Sequence, residues 1–287
     1  MAPSSSSQPA LSYCLETVRR QDPDRFLTLL FAPADRREDL AALYAFNHEV
    51  AKTREVVTEP MLGQIRLQWW RDSIAGVYEG EARRHEVVQP LAQAVQRHGL
   101  DRALFDRLID GREADMDDAA PADLGCLVSY AEVTSAPLVR LALDALGVER
   151  TGAVDAVAGH VGRGWALTGI LRAVPFLARA HRSRLPTDLM EKSGASEAEL
   201  FELKPQPGLA DVARAVADAA RAELAAARAL RGQVPRAAIP ALLPARLATV
   251  WLGRLAKAGY DPLDPVLLRP DGLRAARLAW AAVSGRW

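Results

Sequence analysis

The chain has 287 residues, 49% of them hydrophobic and 25% charged, the make-up of a globular protein with a sizeable core. Lys and Arg together number 36 and Asp and Glu also 36, so no global basic field speaks for nucleic acid. Cys14 and Cys126, the two cysteines, stand far apart without CxxC spacing, which argues against a disulfide framework or structural zinc and fits a reducing compartment.

In chain order, MAPSSSSQPA lacks a basic start, an apolar centre and an arginine-rich amphipathic pattern. It reads as a flexible tail over 1–10 rather than a signal or transit peptide, leaving 11–287 as one helical domain. No apolar run approaches the roughly 20 residues of a membrane span. The expected location is the cytoplasm, with peripheral contact at the inner membrane. Helical periodicity then predicts helices over 11–20, 37–56, 60–79, 86–98, 101–116, 122–146, 153–174, 209–230, 236–258 and 271–283. Pro33, Pro60, Gly99, Pro121, Gly147, Pro186, Pro235 and Pro262 punctuate them. Alternating strand patterns are absent, so the fold class is all-α. KPQPG (204–208) reads as a turn inside that domain.

Few motifs carry chemistry. GHVGRG (159–164) is not GxGxxG and follows no strand, so Gly159, Gly162, Gly164 and Gly169 read as points of close helix approach. The five histidines show no paired-ligand spacing. READMDD (112–118) crowds Glu113, Asp115, Asp117 and Asp118 at a helix end, where acids oppose the dipole and call for a partner such as Arg112. LYAFNHEVAKTREVV (43–57) sets Asn47, His48, Glu49, Lys52, Arg54 and Glu55 on an otherwise apolar helix. Glu49, Lys52 and Glu55 have the i, i+3 spacing of an ion-pair series.

Several stretches together resemble the squalene/phytoene synthase family. They are YCLETVRRQDPDRF, FAPADRREDLAALYAF, LQWWRDSIAGVYEG, LIDGREADM, SYAEVTSAPLVRLAL and HVGRGWALTGILRA followed by RSRLPTDLM. The likeness runs from Tyr13 to Met190 and is faint beyond residue 200. It implies an isoprenoid synthase-like helical bundle around a central cavity. It also implies head-to-head condensation of two prenyl diphosphates on Mg²⁺, held by acids four apart on two facing helices.

Aligned on LYAF, the first acidic motif falls on Ala51–Glu55 (AKTRE), with Glu55 retained and Lys52 where an acid is usual. Aligned on ILR, the second falls on Ala173–Leu177 (AVPFL), with no acid at either end. AFNHEVA and LRAVPF are similar instead to a subgroup typified by the complex I assembly factor 6 proteins. The resemblance thus implies a catalytically inactive relative, needing no cofactor, whose partners are complex I subunits or assembly intermediates. One alternative is a prenyltransferase whose Mg²⁺ is held by Glu49, Glu55, Asp115 and Asp117. Another is a non-catalytic carrier of an isoprenoid or quinone. The candidate cavity residues are Tyr44, Asn47, His48, Glu49, Glu55, Arg112, Asp115, Tyr130 and Arg172, with Arg172 free for an anion or paired with Asp115 or Asp117. Arg179, Arg182 and Arg184 with His181 form a basic segment at the cavity mouth, suited to a solvated face or to a membrane or protein contact.

Overall fold

The computed structural model describes residues 11–287, and the predicted tail lies outside them. The described residues form helices and turns with no strand. The helices are α1 (Tyr13–Gln21), α2 (Pro23–Leu29), α3 (Arg37–Ala51), α4 (Pro60–Glu79), α5 (Val88–His98), α6 (Arg102–Asp110) and α7 (Leu124–Ala145). They continue with α8 (Gly152–Arg179), α9 (Thr187–Ser193), α10 (Glu197–Phe201), α11 (Pro207–Ala229), α12 (Ile239–Leu242), α13 (Pro244–Lys257) and α14 (Arg274–Ser284).

Side-chain caps fix several starts. Ser12, Asp22, Asp101, Asp123 and Thr151 each accept a bond from a first-turn amide of the helix that follows. Gly80, Gly99, Gly194 and Gly285 close α4, α5, α9 and α14 in the left-handed conformation, which costs glycine nothing.

Four expected spans differ in the structure. The span predicted over 37–56 ends as α-helix at Ala51 and tightens into a 3-10 turn, Lys52–Glu55. That over 101–116 stops at Asp110, and a separate 3-10 turn, Glu113–Met116, carries the acid cluster. Pro244, with no amide hydrogen to donate, starts a new helix and splits the span 236–258. Conversely, α8 runs past Pro175 to Arg179, and α7 contains Pro137. Helices α2, α9 and α10 have five to seven residues, too few to show a clear apolar period.

α8 sits centrally, packed against α7, α11 and α13. Gly162 permits the closest approach: a Cβ there would lie 2.5 Å from the Ala136 Cα of α7. Gly164 does the same for α11, where a Cβ would meet Leu224 at 2.8 Å. Gly159 and Gly169 do not follow that expectation, because Gly159 faces Arg163 and Arg140 while Gly169 faces open space. α3 packs against α1, α5 and α7. Its Phe46 is fully buried and meets the edges of Trp70 and Phe105 at 5.4 and 5.3 Å. α3 and α8 both pack on α7, and a space lies between the end of α3 and the second half of α8.

Candidate functional site

That space is a cavity of about 260 Å³. α3 and the turn after it supply Asn47, Ala51, Arg54 and Glu55, and α8 supplies Trp165, Ala166, Gly169, Ile170, Ala173 and Leu177. α7 adds Tyr130, Thr134 and Ser135, α2 adds Arg25, and the segments at 112–115 and 182–184 close the rim with Arg112, Asp115, Arg182 and Arg184. Ala51, Glu55, Ala173 and Leu177, at the ends of the two acidic-motif alignments, therefore line one cavity. Ala173 and Leu177 share a face because they stand four apart on α8, whereas Glu55 reaches the lining from the 3-10 turn after α3.

Asp115 organises the rim and is 7% exposed. The Tyr130 hydroxyl donates to it at 2.8 Å, Arg112 at 3.2 Å and Arg184 at 3.0 Å. Arg112 also donates to the Tyr130 oxygen at 2.9 Å. Burial disfavours charge on Arg112, but Tyr130 and Asp115 outweigh it and hold its pKa above the ordinary value. Burial pushes the Tyr130 phenol up. Arg54 and Arg182 both reach the exposed Asp118, at 3.0 and 3.2 Å. Burial and then the neighbouring Arg184 and Arg54 lower the pKa of Arg182, the mark of crowded positive charge.

The lining thus holds five arginines against two carboxylates, Glu55 and Asp115. Mg²⁺ takes near-octahedral oxygen ligands, usually carboxylates with water and substrate phosphates. Ala51, Ala173 and Leu177 offer none, and the Asp115 oxygens are already taken by two guanidiniums and a phenol. These residues do not fit the metal that the family resemblance implies. No group of three or more His, Cys, Asp or Glu suited to a metal occurs among the described residues.

Five of the nine candidate residues line this cavity: Asn47, Glu55, Arg112, Asp115 and Tyr130. Tyr44 is buried behind it beside Arg25 and Trp165, its phenol pushed up to about 12 by burial. His48 is half-buried outside the lining, with its pKa lowered by burial and by Lys52. Glu49 is buried and held by Lys52 at 2.5 Å and by Arg66 at 2.7 Å, so the expected series forms from Glu49 to Lys52, turns to α4 and does not reach Glu55. Arg172 does not pair with Asp115 or Asp117. It points to the other side of α8 and binds Asp24 at 2.8 Å, and Asp24 also takes Arg274 at 2.7 Å. Asp117 is exposed and caps the Ala119 amide, so the four acids proposed to share Mg²⁺ do not converge. Arg25 and Ser135 escaped the sequence reading: Arg25 lies on the unforeseen α2, and a lone serine on an apolar helix carries no signal.

A helical bundle with paired motif positions facing across a cavity is the architecture of isoprenoid synthases. The squalene/phytoene synthase family model matches residues 18–280, and the chain belongs to that family. The match extends well past residue 200, where the sequence resemblance faded. A dehydrosqualene synthase crystal structure superposes with a TM-score of 0.81 at 19% identity, covering 95% of both chains. Complex I assembly factor 6 of Bos taurus is 32% identical over 261 residues, 91% of this chain and 78% of that protein. The presqualene diphosphate synthase of Rhodopseudomonas palustris is 26% identical over 261 residues, covering 90% of this chain and 92% of that one.

Proposed function

We propose that this chain is a non-catalytic member of its family that supports assembly of respiratory complex I. One observation carries the reading: Ala51, Ala173 and Leu177 line the same cavity without an oxygen donor, while arginines supply most of its charge. Metal assistance in such a site contributes several kcal/mol to the transition state, and each 1.4 kcal/mol or so is tenfold in rate. Guanidiniums can bind a diphosphate, but a wall of them repels the divalent cation that would neutralise the leaving group. The likeness to the Bos taurus assembly factor, at 32% identity, supports complex I as the assembly served.

The prenyltransferase reading needs Glu49 and Asp117 at the cavity, and neither lies there. The carrier reading is not favoured either. At about 260 Å³ the space falls below the roughly 300–1,000 Å³ of small-molecule sites. Deleting the gene in its host and resolving respiratory complexes on native gels tests the proposal. Assembled complex I falls and returns when the intact gene is restored. Unchanged complex I in the deletion strain refutes it.

A further inference from the structure

The balanced charge of the chain conceals a strong asymmetry. Residues 228–287 contain ten Lys and Arg against three acids, a net of +7, so the preceding residues carry −7. Arg246, Arg254, Lys257, Arg269 and Arg286 of this segment form no ion pair among the described residues. Arg246, Arg254 and Lys257 of α13 line an open groove of about 730 Å³ together with Arg277 of α14. The one acid there, Asp271, is engaged by Arg277 and by the Leu273 amide.

Beside the groove lies an apolar helix face. α14 buries Leu278 and Ala281, yet Leu273, Trp280 and Val283 are 60%, 63% and 74% exposed. With exposed Ala276 they follow the spacing 3, 4, 3, a single stripe along the helix. Leu273 joins the stripe to the groove, and the preceding turn adds exposed Val266 and Leu268.

We propose that this face docks on an anionic lipid bilayer, with Trp280, Val283 and Leu273 entering the headgroup–acyl boundary and the groove cations meeting lipid phosphates. An amphipathic helix with Trp and aliphatic residues on one face and cations beside them binds such interfaces. The charge favours this occupant: a second copy docked through the same face would set Arg246, Arg254 and Lys257 against the same cations of its partner. Trp280 is the lone exposed aromatic on this face, too few for the run of stacking platforms that single-stranded nucleic acid uses. The inference stands on this surface alone and is independent of whether the cavity is catalytic.

Flotation of the full chain with unilamellar vesicles provides the test. Vesicles of equal parts phosphatidylcholine and phosphatidylglycerol bind it, binding falls at high salt, and pure phosphatidylcholine vesicles bind little. Trp280→Ala and the double variant Lys257→Glu, Arg269→Glu each lower the partition coefficient about tenfold or more. Ile65→Ala, an exposed apolar site on α4, leaves it unchanged. Circular dichroism of each variant keeps its wild-type helical signal, because the altered side chains are exposed. Absence of binding to the anionic vesicles, or wild-type binding by both α14-face variants, overturns the proposal. So does a Trp280-dependent dimer at the same concentrations, which would give the face to a second copy.

Discussion

Asp115 balances two buried or half-buried guanidiniums and a phenol with one carboxylate, and its removal leaves those cations facing one another. Breaking a buried ion pair from one side costs more than the pair contributes, because the stranded charge stays desolvated. Asp115→Ala is expected to lower stability by about 3 kcal/mol, with a fall in Tm of several degrees measured by calorimetry. Exposed Asp118→Ala should lose under about 1 kcal/mol, since the Asp118 carboxylate itself is 60% exposed and screened by water. Equal losses at the two positions would contradict the role given to Asp115. Sequence alone suggested Arg112 as a partner for the acid run, three residues away. Arg184, which comes from 69 residues further along, was legible only as part of a basic segment. Arg172 shows the same limit in reverse: its motif position was recognisable, but its partner Asp24 lies 148 residues away on a helix too short to announce itself.

Among the elements, α8 makes both the packing and the cavity wall. Its glycines looked alike in sequence and are not alike in place. A Cβ at Gly162 would overlap the backbone of α7, whereas a Cβ at Gly169 would point into the cavity space. Gly162→Ala should destabilise the protein by roughly 1–3 kcal/mol through overpacking. Gly169→Ala should be neutral or stabilising by up to about 1 kcal/mol, because alanine is the better helix former. Chemical denaturation of both variants checks the contrast, and a reversed order would show that α7 and α8 do not meet as described. Spacing by two to five residues identified a small-residue helix, but at 3.6 residues per turn such glycines point to different sides of the cylinder. Only the neighbouring helices decide which glycine is under pressure. The long helices themselves were readable, since each repeats its apolar stripe several times. Their ends shifted where a 3-10 turn or a proline, as at Lys52–Glu55 and Pro244, changed the backbone without changing the stripe.

At the scale of the molecule, the family's bundle encloses a chamber whose lining holds five arginines against two carboxylates. The absence of acids at Ala51, Ala173 and Leu177 was visible in sequence through the family resemblance, which aligned these positions with its two acidic motifs. The arginine-rich lining was not, because Arg25, Arg112, Arg182 and Arg184 reach the cavity from three separate segments that only the tertiary fold assembles. The two features together carry the central proposal: a chamber that does not hold magnesium and does not perform the family reaction. The most direct measurement incubates the purified full chain at high concentration with Mg²⁺ and farnesyl diphosphate and follows inorganic pyrophosphate release, beside an active synthase as reference. Release no faster than in protein-free buffer is the expected result. Sustained, Mg²⁺-dependent release with a condensed prenyl product would contradict the account.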